Sequence, residues 1–174
     1  MSLKGVAGSH RFSVLTGTTV ALVIACGVAW AASPHFVGKV TATINGTTGD
    51  VQVCWKEAGL GDNQNISYTA GADGTATYVC KNNGGQCPNA ANKETVHGPV
   101  SATGIFASNK NGSISACLTF SAPDAGTFTC PGGQTLTLSE VSYSGIHVSD
   151  DTNNVSASAQ PSSIGAVLSA CPNP

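Results

Sequence analysis

Residues 113–120 read Ser-Ile-Ser-Ala-Cys-Leu-Thr-Phe. Ile114, Ala116, Leu118 and Phe120 fall on one side of a two-residue period, and small or polar residues fall on the other. That alternation is the mark of a β-strand with one buried face, and Asn109–Gly112 (NKNG) just before it is a hairpin turn. The same period recurs outward from this strand. Phe36–Ile44 is rich in Val, Thr and Ile and ends at the turn pair Asn45-Gly46; Val51, Val53 and Trp55 alternate with Gln52, Cys54 and Lys56. Ile66, Tyr68 and Ala70 open another strand, which Gly71-Ala72-Asp73-Gly74 is expected to turn into Thr75–Cys80. Val96–Ala107 is a further strand. Leu136 and Leu138 share one phase, Val141 and Tyr143 the other, and Ile146 and Val148 return to the first. A one-residue slip inverts the faces of a strand, so these changes near Ser139-Glu140 and at Gly145 predict β-bulges or a break. Asp150–Asn154 is a turn, Val155–Ala159 a short strand, and Ile164–Leu168 a last strand or a turn of helix. Eight to ten short strands, no helical period and no repeat predict an all-β sandwich or barrel.

The N-terminus has a different pattern. Lys4 and Arg11 precede Val20–Ala32, thirteen apolar or small residues in a row, and Ala29-Trp30-Ala31 offers a small-x-small exit. These are the parts of a cleavable secretory signal, expected as a helix over residues 1–31, with residues 32–174 as a single domain. Val23-Ile24-Ala25-Cys26 also resembles a lipobox, which would make Cys26 a lipid anchor and change secretion into attachment to the cell envelope. Without residues 1–31, five lysines and no arginine face nine acids, a net charge of −4. That balance argues against nucleic acid as a partner, because phosphates need cations. It leaves a polysaccharide or a protein as the partner to look for.

Outside the signal, six cysteines remain: Cys54, Cys80, Cys87, Cys117, Cys130 and Cys171. An even number in an exported chain reads as a disulfide framework, and no C-x-x-C spacing supports a metal site. Alternation places Cys117 opposite Ile114, Leu118 and Phe120, so it is expected to bond to a covering segment, with the Cys171 tail a natural partner. Cys54 likewise lies opposite Val53 and Trp55, while Cys80 shares a face with Tyr78. Spacing alone leaves the connectivity open.

Tyr78-Val79-Cys80, preceded by Asp73 and Ala76, resembles the late strand of immunoglobulin domains, where a Tyr two residues before a Cys forms a corner. Cys54 is too close for the immunoglobulin bridge, so the likeness implies an Ig-like antiparallel β-sandwich stapled by disulfides rather than a true immunoglobulin domain. Pro34-His35-Phe36-Val37, Lys56–Asp62 (KEAGLGD), Tyr78-Val79-Cys80 and Ala90-Ala91-Asn92-Lys93 together resemble a family of small secreted proteins of actinobacteria and similar soil bacteria. That likeness spans most of the mature chain and brings no activity or site residues with it. Its members keep counterparts of Cys80 and Cys130, which implies a Cys80–Cys130 bridge here; the other four cysteines depart from the pattern.

No catalytic motif is present. His35, His97 and His147 are scattered, and neither H-E-x-x-H nor G-x-S-x-G occurs. Glu57 and Glu140 could form a glycosidase pair, but two lone glutamates read more simply as solvated surface charges. Asp150–Asn154 has oxygen ligands but lacks the spacing of a calcium loop, so it reads as a turn. Neither cofactor nor metal is expected, and the chain reads as a non-catalytic binding or structural protein. Two alternatives stand beside that reading. A carbohydrate- or small-ligand-binding module would use exposed aromatics, with Trp55, Tyr68 and Tyr143 as candidates. A secreted protease inhibitor would present the loop Lys81–Cys87.

Overall fold

The computed structural model describes residues 33–87 and 92–169. The expected signal, Cys26 and Cys171 lie outside the described residues. Nine strands follow in order: β1 (His35–Phe36), β2 (Val40–Ile44), β3 (Val51–Ala58), β4 (Asn65–Asn82), β5 (Lys93–Ala107), β6 (Ser113–Phe120), β7 (Gln134–Asp150), β8 (Val155–Gln160) and β9 (Ser163–Val167). There is no α-helix among the described residues. The domain is an all-β sandwich. One layer is built on β3, which pairs with β6 along one edge and with β2 and β1 along the other. The second layer is built on β4 and β7, with β5 beyond β4 and with β8 and β9 sharing the far edge of β7.

The pairing is antiparallel with one exception. Residues 155–158 of β8 run antiparallel to β7, whereas Ala159 and Gln160 run parallel to Val40 and Thr41 of β2. β8 thus passes from one layer to the other, which makes the sheet mixed rather than purely antiparallel.

Gly71–Gly74 is not a turn. β4 continues through it for eighteen residues, a length of about 60 Å at the usual rise per residue. The feature there is a bulge. Gly71 pairs with His147 and Asp73 with Ser144, so Gly145 and Ile146 oppose the single residue Ala72. A second irregularity lies where Thr77 pairs with Glu140 and Tyr78 with Leu138, leaving Ser139 extra. Both fall where the apolar phase of β7 changes. The bulges bring Val141, Tyr143, Ile146 and Val148 to the same buried side. Gly145 adopts φ +64°, a conformation that suits glycine at such a point.

The core lies between the layers and is formed by Val51, Val53 and Trp55 of β3, Tyr68 and Ala70 of β4, Phe120 of β6, and the four β7 residues. Trp55 belongs to it, its ring centroid 4.8 Å from that of Tyr68 and 5.7 Å from that of Phe106. Tyr143 donates a 2.7 Å hydrogen bond to the carbonyl of Gly49. Gly49 has φ +82°, a conformation that favours glycine, and a Cβ there would crowd the Leu168 and Val141 methyls at 3.0 Å. Because the Tyr143 bond is buried, Tyr143→Phe strands that carbonyl and is expected to cost about 1–3 kcal/mol, readable in urea unfolding.

β4 is much longer than the eight-residue β3, and the connection from Ser121 to Gly133 covers the surplus. The Tyr78 hydroxyl donates to the carbonyl of Pro123 at 2.7 Å. A Cβ on Gly74 would lie 2.8 Å from the Pro123 ring, so only glycine allows that approach. Cys80 is bonded to Cys130 in the same connection. The Tyr-x-Cys signature therefore anchors a covering loop forty-five residues downstream in sequence. In the immunoglobulin corner, by contrast, the tyrosine bonds back to backbone a few residues upstream.

Cys117 is bonded to Cys54, which corrects the expected pairing with the Cys171 tail. The two cysteines are directly opposed in the β3–β6 register, on the face turned away from the core. Alternation identified that face for both residues, and the pairing of their strands brings them together. Cys87 is also disulfide-bonded.

Candidate functional site

The three aromatic candidates do not form a surface site. Trp55 is 4% exposed, Tyr68 0% and Tyr143 2%. All three point into the core, because each shares the inward phase of its strand. A sugar would need an accessible ring face for stacking. A shallow polar depression of about 350 Å³ at the β2–β3 turn is lined by Thr43, Ile44, Asn45, Asp50, Gln52 and Thr119, and it too offers no aromatic ring. Within it the Thr48 hydroxyl donates to Asp50 at 2.6 Å, and this bond lowers the pKa of that carboxyl.

Glu57 and Glu140 are not a catalytic pair. Glu140 is exposed on the outer face of β7, whereas Glu57 points inward from β3. Glu57 is also not a surface charge, since its exposure is 0%. It continues the inward phase of Val51, Val53 and Trp55, so the alternation that buries those residues buries the carboxyl as well. The Lys81–Cys87 segment is a largely exposed tight turn at the end of β4. Lys81 and Asn82 belong to β4, and the Asn82 side chain accepts hydrogen bonds from the backbone N–H groups of Gly84 and Gln86, folding a tight turn. Asp150–Asn154 is a turn organised by Asp150, whose carboxylate accepts the backbone N–H groups of Thr152 and Asn153, both at 2.8 Å.

Two features remain that alternation did not single out. The first is a buried polar cluster. Glu57, Asp150, Tyr68 and Trp55 are all nearly or fully inaccessible, and the Glu57 carboxyl, the Tyr68 hydroxyl and the Trp55 indole N–H have only one another and Asp150 as polar neighbours, in loose bonding geometry. Burial pushes the Glu57 pKa up to about 7; the nearby Tyr68 hydroxyl opposes this, and Asp150 adds to it. Burial, with the neighbouring Glu57, likewise raises the Tyr68 pKa, so that hydroxyl stays neutral.

The second is the outer face of the β4–β7 layer. Cross-strand registers place Thr103, Thr69, Ser149 and Ser156 in one row, and His97, Thr75, Ser142 and Gly165 in another. Between those rows lie Ser101, His147 and Ser158, with Asp73 and Ser144 beside them. Nearly all of these side chains are exposed or half-buried. Several are tied to one another. Thr69 donates to Asp151 at 2.6 Å, Ser149 donates to the same carboxylate at 2.7 Å, and the Thr75 hydroxyl lies 2.8 Å from the His97 ring nitrogen. The result is a broad hydroxyl surface held in place by strand pairing and its own hydrogen bonds. No family model, curated protein or solved structure matches this chain. The positions of these residues are therefore the ground for a functional reading.

Proposed function

We propose that the protein is secreted or held at the cell envelope and is not a catalyst, acting there by binding a partner or as a structural surface element. The hydroxyl-rich outer face of the β4–β7 layer carries this reading. It is wide and regular, its hydroxyls outnumber its carboxylates Asp73, Glu140 and Asp151, and its partner should be an extended polar surface such as a neutral polysaccharide. A disulfide inside one layer and another between β4 and the Ser121–Gly133 connection favour an oxidising compartment, and residues 1–31 have the pattern of an export signal. The likeness to small secreted actinobacterial-type proteins with Ig-like sandwiches belongs to the same reading.

The test is retention of the purified protein on immobilised neutral polysaccharides and on cell-wall material. Thr103→Lys with Ser142→Lys puts two cations on the face without touching the core. Wild type should be retained, and the double variant should bind about tenfold more weakly or worse, a difference of about 1.4 kcal/mol. Equal retention of both would remove the face from the account.

A further inference from the structure

Glu57 and Asp150 place two carboxyl groups in the core, both at 0% exposure. Their surroundings differ. Asp150 Oδ1 accepts the N–H groups of Thr152 and Asn153, and Oδ2 accepts the Asn153 side-chain amide at 2.6 Å. Three donors thus hold the Asp150 carboxyl in place. Glu57 has no backbone donor and no cation on either oxygen; the polar groups that reach it are the Tyr68 hydroxyl and the Asp150 carboxyl. The groups acting on it are Tyr68 from β4, Asp150 at the end of β7 and His35 from β1. Tyr68 is neutral and Asp150 is an acid, which leaves His35 as the one basic group among them.

Ionising Glu57 in such a place carries a large desolvation penalty and repulsion from Asp150, which the Tyr68 hydroxyl offsets only in part. We infer that Glu57 is a proton-operated latch: the closed core holds it as a neutral acid, and its ionisation opens the β1 end of the sandwich. β1 is the element expected to give way. It is two residues long and is held to β3 at Glu57 and Ala58, with one further bond from the Val37 N–H to the Lys56 carbonyl at 2.8 Å. β4 and β7, by contrast, are long and paired on both edges. Releasing β1 lets water reach the carboxylate while most of the sandwich stays intact.

The direction of the pH dependence follows from the pKa. An unfolded glutamate titrates near its model value of 4.5, and the buried one near 7. Between those values the folded state holds a proton that the unfolded state has lost. Stability therefore falls as pH rises from about 4.5 to 7 and stays reduced above that. The full effect is up to about 300-fold in the unfolding constant, the antilogarithm of the pKa difference. Below 4.5 both states are protonated and the effect vanishes.

The experiment compares wild type and Glu57→Gln, as the intact oxidised protein, at pH 5 and pH 8.5. Urea unfolding gives the stability, and amide hydrogen exchange at Val37 and its neighbours reads the β1 end. Wild type should lose stability and exchange faster at pH 8.5, with the increase largest at β1, while Glu57→Gln should be insensitive to pH. Parallel behaviour of the two proteins, or a wild type equally stable at both pH values, would overturn the inference. If Glu57→Gln does not fold, a carbon-13 titration of the wild-type Glu57 carboxyl decides: a midpoint near 7 supports the latch and one near 4.5 rejects it.

Discussion

Replacing Cys80 and Cys130 together by alanine is expected to lower the unfolding free energy by about 4 kcal/mol. The bridge closes a loop of fifty residues in sequence, and the chain-entropy model gives about that amount for such a loop. In a domain of this size the melting temperature should fall by on the order of 10 °C or more. The location of the bridge adds a second signature. Cys80–Cys130 ties the connection from Ser121 to Gly133 onto the part of β4 that extends past β3, with the Tyr78–Pro123 bond beside it. Without the disulfide, that connection should be cut by a protease before the domain unfolds. The Cys54–Cys117 bridge links strands already paired in register. Its double alanine variant should lose stability, with the Ser121–Gly133 connection still protected. Calorimetry and timed proteolysis of the two variants distinguish these outcomes; early cleavage in both would mean that Cys80–Cys130 has no special hold on the loop.

Trp55→Ala is the second large effect, expected at about 3–5 kcal/mol, the usual range for removing a buried aromatic from a packed core. Trp55 touches Tyr68 and Phe106 and sits two residues before Glu57 on the same inward face. The substitution therefore removes two of the three ring contacts among Trp55, Tyr68 and Phe106 and leaves a cavity beside an acid. Trp55→Phe should cost much less. It keeps most of the ring area and removes an indole N–H that has no well-aligned hydrogen-bond partner in the core. Urea unfolding at pH 5, where Glu57 is protonated, isolates the packing term. A Trp55→Phe variant as damaged as Trp55→Ala would show that the indole nitrogen has a hidden partner.

Most of the architecture can be read from period-2 alternation. Ile114 to Phe120 and Val51 to Trp55 mark inward faces that the structure reproduces, and the phase changes in β7 mark its bulges at Ser139 and Gly145. Gly71–Gly74 misleads because glycine and aspartate signal turns locally, whereas pairing with both β5 and β7 holds the segment extended. The Cys54–Cys117 bridge could not be read from one strand at a time, since it depends on which strands become neighbours. Glu57 is a different case. Its position in the inward phase was visible, but residue type suggested solvent, and a charge at the end of an apolar stripe was read by chemistry rather than by period. The hydroxyl face could not be found by any motif. It consists of Ser and Thr residues scattered through the sequence, and the cross-strand register of β5, β4, β7, β8 and β9 aligns them.

We propose that this domain is exported and oxidised. Intact-mass analysis of the protein recovered after export, before and after thiol alkylation, tests it most directly. The expected product is a chain beginning at Ala32, with all six of its cysteines in disulfides and none alkylated. A chain that keeps residues 1–31, or one whose cysteines alkylate without reduction, would contradict it, and a lipid on Cys26 would replace release by anchoring.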